Sequence, residues 1–354
     1  LMSRAAFAEQ SGLAYDVART LGAGPWRRFF SVALPLARPA IAAGTAIVMM
    51  ETAADFGVVE FFAVQTLTTG IFTTWLEGGS PSGAAQIALV VLVLMMALVG
   101  LEKSSRRHQR HYSLARANRH AEPTKLVGIR GWAASALCVL PFAVGFLLPV
   151  LVLGWHALEQ PGRWGDADLG RALFHTLATG AIAAVVTVSA ALFMVYAVRQ
   201  TGRALPRVLL PVTTVGYAAP GAVLGLGLLI PLAAFDNQLA DTLVHFGLPD
   251  PGLILTGGAG AIIIAYCVRF FAIAQGAVDG ALGRVPPNLG LAARTLGRSR
   301  GGALWSVELP LIRASVATAL LLVFVDCVKE LPATLLLRPF NYNTLATRVY
   351  EQAS

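Results

Sequence analysis

The chain has 354 residues, of which 56% are hydrophobic and 13% charged, with a formal net charge of +8 and a mean hydropathy of +0.67. Soluble domains carry about a quarter charged residues, so this composition excludes a pair of soluble domains. The surplus of basic residues must be judged by its position rather than its sum.

The chain opens at Leu1 on polar, partly charged sequence, and no cleavable signal peptide is read there. Residues 16–35 read as a helix, a break at Gly22, and a second amphipathic stretch ending at Leu34-Pro35. Gly takes the left-handed conformation that stops a helix, and Pro is expected to interrupt the next one before the chain enters a membrane. A bilayer crossing takes about 20 helical residues. Seven apolar runs meet that length, at 38–58, 83–102, 133–157, 173–198, 208–234, 253–275 and 314–334. The stretch 103–131 holds eight basic residues against Glu122, and further Arg clusters lie at 199–207 and 284–300. By contrast, 159–171 is acidic on balance, and 235–252 has three Asp and no Lys or Arg. This alternation is the positive-inside pattern, which assigns 1–37, 103–131, 199–207 and 276–313 to the cytoplasm. A nucleic-acid-binding face would not alternate with apolar spans, so a nucleic-acid partner is not expected. The run 103–131 reads as a linker, with anionic membrane lipid as an unspecific contact.

Comparing the chain with itself gives one clear match, at an offset of 275 residues. Ala18-Arg19-Thr20-Leu21-Gly22 repeats as Ala293-Arg294-Thr295-Leu296-Gly297. Ser31-Val32-x-Leu34-Pro35-Leu36 repeats as Ser306-Val307-x-Leu309-Pro310-Leu311. After a three-residue shift, Thr66-Leu67-x-Thr69 aligns with Thr344-Leu345-x-Thr347. Matched Arg, Thr, Gly, Ser and Pro at fixed spacing imply two homologous halves. Each repeated loop reads as a short helix lying across the cytoplasmic face, free to enter a partner's groove. The alternative is an ordinary helix-turn-helix between spans, which its duplication disfavours.

The chemistry of a nucleotide site is missing. A phosphate-binding loop needs Gly-Lys-Ser/Thr, whereas Lys103, Lys125 and Lys329 are the only lysines and none follows Gly. The match Gly297-Arg298-Ser299-Arg300-Gly301 lacks the preceding strand that a nucleophile elbow needs. Cys138, Cys267 and Cys327 fall within spans without metal-ligand spacing and read as packing residues. Pro and Gly within spans, among them Pro220, Gly221 and Gly225, read mainly as packing positions.

Acids inside the spans stand out. Glu51 and Asp55 lie four apart, on one helix face, and Asp326 and Glu330 occupy the aligned positions of the second copy. Intramembrane charges usually face a bundle interior or a water path. One reading is a ring of carboxylates along a translocation route, beyond the midplane and suited to a hard cation. The other is structural: Asp326 and Lys329 are spaced to pair, and the remaining acids bond to loop backbone.

The spacing Glu-Ala-Ala, three residues, Gly, nine residues, Ile-x-Leu-Pro resembles the loop signature of bacterial ABC importer permeases. Asp16, Ala18, Gly22, Val32, Leu34 and Pro35 fit it in the first copy, and Ala292, Ala293, Gly297, Val307, Leu309 and Pro310 in the second. The acidic first position is kept as Asp16 but is Leu291 in the second copy, so unequal docking of the two loops is expected. The flanks resemble the ferric-iron permeases with both halves fused in one chain. That likeness is carried by Arg4-Ala5-Ala6-Phe7, Glu51-Thr52-Ala53-Ala54-Asp55-Phe56-Gly57, Lys329-Glu330-Leu331-Pro332-Ala333-Thr334 and Leu337-Arg338-Pro339-Phe340. Permeases for thiamine, polyamines, sulfate and phosphonates share much of the pattern.

The resemblance implies an all-α polytopic transmembrane helical bundle, with about seven spans present of an expected twelve. Residues 1–102 would be the C-terminal part of a first half, 103–131 a basic linker, and 132–354 a second half lacking its last span, so the chain reads as a fragment. It also implies a multi-pass protein of the bacterial inner membrane that is a transport subunit rather than an enzyme. The implied partners are two ATP-binding cassette ATPase subunits, which carry the ATP and Mg, and a periplasmic substrate-binding protein. No cofactor is expected in this chain.

Overall fold

The computed structural model describes residues 2–8, 10, 12–107, 126–159, 161–201 and 204–353, so most of the expected linker 103–131 lies outside the described residues. All regular secondary structure among the described residues is helical. In chain order the helices are α1 (Met2–Ala8), α2 (Gly12–Thr20), α3 (Pro25–Ala54), α4 (Gly57–Phe61), α5 (Leu67–Phe72), α6 (Pro81–Arg107) and α7 (Ile129–Glu159). They continue with α8 (Ala167–Thr201), α9 (Ala204–Leu209), α10 (Gly221–His245), α11 (Gly260–Gly283), α12 (Pro287–Thr295), α13 (Arg300–Val328), α14 (Pro332–Leu337) and α15 (Leu345–Ala353). Seven of these, α3, α6, α7, α8, α10, α11 and α13, are long and apolar enough to cross a membrane. That is the number expected from hydropathy.

Two of the seven sit differently from the apolar runs. The run 208–234 is not one helix, because Leu210–Ala218 winds as a 3-10 helix and α10 starts only after Pro220. Pro211 and Pro220 cannot donate to a helical ladder. A Cβ on Gly216 would stand 2.3 Å from the Val268 carbonyl oxygen, so this segment lies directly on α11. The run 253–275 begins in a loop, and α11 extends instead to Gly283. That loop is held by Asp236 of α10, whose buried carboxylate accepts from the backbone N–H of Leu255 (3.1 Å) and of Thr256 (2.8 Å) and from the Thr256 hydroxyl (2.7 Å).

The chain divides into two compact units, Leu1–Met49 with Leu98–Leu169 and Met50–Ala97 with Gly170–Ser354. In the first, Gln10 is buried and donates from Nε2 to the Ala33 carbonyl (2.8 Å), while the Tyr15 hydroxyl donates to Gln10 Oε1 (2.8 Å). Phe7 stacks on Phe29 at 6.1 Å. Its helix α7 buries none of its described residues, and its apolar side chains are open all round, which suits a lipid-facing span.

The second unit has its core where α8, α11 and α13 meet. Ala183, Ala184 and Ala191 of α8 face Ala261, Ala265 and Ala274 of α11 and Ala319 of α13. Small residues let helices approach closely where lipid offers no hydrophobic drive. Val188, Ile262, Phe270 and Val323 fill the space between them.

The duplication is reproduced element by element. At the 275-residue offset α2 maps onto α12, the start of α3 onto the start of α13, and α4 onto α14. The described chain has two non-glycine residues with positive φ, Ala63 (53°) and Asn341 (65°), and they correspond once the three-residue shift is included. The Thr66–Thr69 cap of α5 recurs as Thr344–Thr347 before α15, with N–H to hydroxyl distances of 2.9 and 2.8 Å.

Candidate functional site

Two groups of residues carry the functional expectation: the repeated loops and the acids at the helix breaks. In the first loop α2 ends at Thr20, and Gly22 turns the chain with φ 76°. The N–H of Ala23 returns to the Ala18 carbonyl (3.0 Å) and that of Gly22 to Arg19 (3.0 Å). The second loop closes in the same way, with φ 85° at Gly297, Arg298 N–H to Ala293 (3.1 Å) and Gly297 N–H to Arg294 (3.0 Å). This six-to-one, five-to-two pair of bonds satisfies the last carbonyls of a helix and requires a left-handed residue. The fixed Ala-x-x-x-Gly spacing of each copy is thereby explained.

The turn leaves one large apolar side chain in the open in each loop: Leu21 is 80% exposed and Leu296 85%. Asp16 and Leu291, the unequal first positions, are both exposed as well. Phe30 and Trp305, equivalent at the 275-residue offset, also stand outward.

The Leu-Pro signature behaves differently from the expectation that Pro ends the second stretch. Both helices run straight through it, because a π-turn over Phe29–Ala33 and another over Leu304–Glu308 precede the proline. In each, the N–H after the π-turn reaches five residues back, from Leu34 to Phe29 and from Leu309 to Leu304. The wider turn frees the carbonyl that the ring of Pro35 or Pro310 would strike. Ser31 and Ser306 bond back to the Arg27 (2.5 Å) and Gly302 (2.6 Å) carbonyls in the same turn. Val32 and Val307 are half-buried here.

The acids lie at the C-terminal ends of two spans, not in mid-helix. Glu51 is in the last turn of α3 and Asp326 in the last turn of α13. Asp55 and Glu330 fall in the breaks that follow, before α4 and α14. The two breaks meet, since a Cβ on Gly57 would stand 3.5 Å from Leu331 Cδ2. Phe56 is buried there against Phe72 and Tyr350, with ring centroids 4.0 and 5.6 Å away.

A carboxylate at a helix C-terminus faces the negative end of the macrodipole and needs a compensating partner. Asp326 has one in Lys329, whose Nζ lies 2.7 Å from Oδ1. Glu51 is exposed and accepts a hydrogen bond from the Tyr217 hydroxyl (2.9 Å). The Asp55 carbonyl accepts from Thr68 Oγ1 (2.9 Å). Glu330 is only 6% exposed and faces Arg269 of α11, with Oε1 3.4 Å from Nη1. Glu51, Asp326 and Arg269 all lie within electrostatic reach of Tyr217, so these groups form one neighbourhood.

The acids therefore divide: Asp326 and Glu330 face cationic partners, the Glu51 carboxylate accepts from the Tyr217 hydroxyl, and Asp55 is tied through its backbone carbonyl. Among the described residues no three His, Cys, Asp or Glu side chains come together in a way that could hold a metal ion. Arg269 was missed from sequence because a single Arg in an apolar run carries no motif. Its place within the span 253–275 was the signal, since an intramembrane charge needs a partner. Tyr217 was missed for the same reason, lying in a run read as ordinary span.

The family model described as binding-protein-dependent transport system inner membrane component matches residues 1–108 and 188–348. The Fe(3+)-transport system permease protein FbpB 2 of Haemophilus influenzae is 26% identical over 348 residues, 96% of this chain. The chain covers 65% of that relative's length. The molybdenum transport system permease protein ModB of Escherichia coli K12 is 35% identical over 87 residues, 23% of this chain and 38% of that protein. A spermidine/putrescine transport system permease protein PotC homolog of Mycoplasma genitalium is 24% identical over 197 residues, 53% of this chain and 61% of that protein. With a match over well more than half its residues and seven apolar helices of spanning length, this multi-pass membrane chain belongs to the binding-protein-dependent transport system inner membrane component family.

Proposed function

We propose that the chain is the permease subunit of an ATP-driven importer in a bacterial inner membrane, and that its cargo is ferric iron. The observation that carries the cargo is the reach of the likeness. Similarity to the iron permease runs through 96% of the chain, whereas the molybdenum relative matches a block of 87 residues. On this reading residues 1–102 and 132–354 are corresponding parts of two halves joined by the linker 103–131. Two ATPase subunits, carrying ATP and Mg, seat on the loops 16–35 and 291–310, with Leu21 and Leu296 as their most exposed apolar side chains. A periplasmic binding protein delivers cargo from the other side, and ATPase closure switches the halves between outward and inward access.

The exposed Glu51, the neighbouring Asp55 and the partly covered Asp326 supply hard oxygen ligands along the route, the type of group a ferric ion prefers. A polyamine cargo is the second reading, favoured by the relative from Mycoplasma genitalium and by the suitability of the same acids for an organic cation. The test is uptake by vesicles holding the chain with its ATPase and binding protein. ATP-dependent accumulation of radiolabelled iron, undiminished by spermidine, thiamine or molybdate, is expected. Accumulation of one of those competitors in place of iron would overturn the cargo assignment.

A further inference from the structure

We propose that Arg269 is a positioning residue. Its buried ion pair with Glu330 latches the break between α13 and α14 onto α11, and so aims the pathway acids Glu51 and Asp326. The inference deepens the proposed function and rests on it for its transport consequence.

The break at Lys329–Leu331 is tied to α11 at two points one helical turn apart. Tyr266 lies against the backbone of Glu330, its hydroxyl 3.5 Å from the carbonyl oxygen and 2.6 Å from Thr334 Oγ1. Arg269, three residues on and therefore on the same face, takes the Glu330 side chain. Both partners are nearly dry, Arg269 at 13% exposure and Glu330 at 6%. Nη1 of Arg269 is fully enclosed and makes no aligned hydrogen bond, so the attraction across 3.4 Å is that of charge. Glu330 gains a further donor from the Ala333 N–H at the start of α14 (3.3 Å).

The third wall is the start of α10. A Cβ on Gly221 would stand 2.1 Å from Glu330 Oε1 and 2.6 Å from Arg269 Nη1. The pair thus occupies space that only glycine leaves free, and one contact joins α10, α11 and the break. Asp326 lies just before that break and its partner Lys329 opens it, and Tyr217, which holds Glu51, lies at the end of the segment leading into α10. A shift of the latch would move both pathway acids together.

A buried pair losing one member leaves an uncompensated charge, which is costly, whereas removing both is often tolerated. Two readouts test the latch on the assembled transporter. The first is hydrogen exchange of the backbone over 329–337, which requires neither transport nor an identified cargo. Arg269→Gln should raise exchange there by about tenfold, and Arg269→Gln with Glu330→Gln should return it to within about threefold of the parent. Equal exchange in all variants, or a double variant no better than Arg269→Gln, would overturn the latch.

The second readout is uptake at varied concentrations of loaded binding protein. Arg269→Gln should lower the maximal rate about tenfold, with half-saturation and basal ATP hydrolysis little changed. Arg269→Lys should recover most of the rate. A loss of rate that merely follows the amount of assembled complex would reduce Arg269 to a structural role. If Arg269→Gln fails to assemble, the double variant decides, because the proposal requires it to assemble and transport. Wild-type uptake of some other cargo would change the proposed function and leave the exchange result standing.

Discussion

A carboxylate in the last turn of a helix is held against the local dipole, which makes Glu51 and Asp326 informative as single residues. Asp326 has Lys329 at 2.7 Å, whereas Glu51 accepts a hydrogen bond from the Tyr217 hydroxyl, so the two should respond differently to neutralisation. Asp326→Asn frees an exposed lysine and should change thermal stability by less than about 1 kcal/mol. Glu51→Gln with Asp326→Asn should cut uptake by about tenfold or more in an assembled complex, if these oxygens meet a cation. Unchanged uptake would remove both acids from the route. Sequence showed these acids because charge inside an apolar run is conspicuous by itself. It did not show that Glu330 belongs with Arg269, because that pairing spans 61 positions and exists only once α11 is packed. At the loops, the glycine turns were legible because the left-handed residue is what the Ala-x-x-x-Gly spacing serves. Nothing lies within 4 Å of a Cβ at Gly22 or Gly297, so Gly→Ala there acts through backbone strain alone, about 1 kcal/mol. Each substitution should weaken retention of the ATPase on the purified chain. The effects should be unequal, since Asp16 stands in one loop and Leu291 in the other.

At the scale of elements, the repeat carried more than hydropathy did. Thr20 and Thr295 both bond back three residues, at 2.8 Å each, so matched polar residues mark matched local geometry. The expectation that Pro35 would end a helix failed because a π-turn absorbs the ring, and single-residue propensities do not encode that device. Pro35→Ala removes the reason for the wide turn and should let α3 relax toward regular winding. That would rotate the loop relative to the span, and a spin-label pair across residues 27 and 38 should report a changed distance. The fifth and sixth spans were misplaced for a related reason. Ile254 and Leu255 are apolar and extend the hydropathy signal, yet they lie in a loop pinned by the Asp236 carboxylate. Replacing that acid by Asn loses an acceptor for several N–H groups and should cost about 2 kcal/mol. Faster hydrogen exchange at Leu255 and Thr256 is the measurement that checks it.

At the scale of the whole molecule, the proposed function has the two copies of the loop act jointly on one ATPase pair. Each presents a leucine of similar exposure beyond a turn of the same geometry, so each is a separate point of attachment in the proposed assembly. Two-point attachment holds a partner by effective concentration, and loss of one point lowers affinity steeply without abolishing contact at the other. On the proposed function transport is stricter than retention, because a rocking motion between outward and inward access would require force on both halves at once. Leu21→Asp and Leu296→Asp, each made singly, should therefore leave the ATPase partly retained on the chain at high concentration. Uptake should fall by about tenfold or more in either single variant, even where retention is nearly normal. The two quantities are measured on one preparation, by co-purification at graded protein concentration and by vesicle uptake. Uptake that declines only in proportion to bound ATPase would mean that one loop suffices to drive the cycle, and the second copy would then be an anchor without a mechanical part.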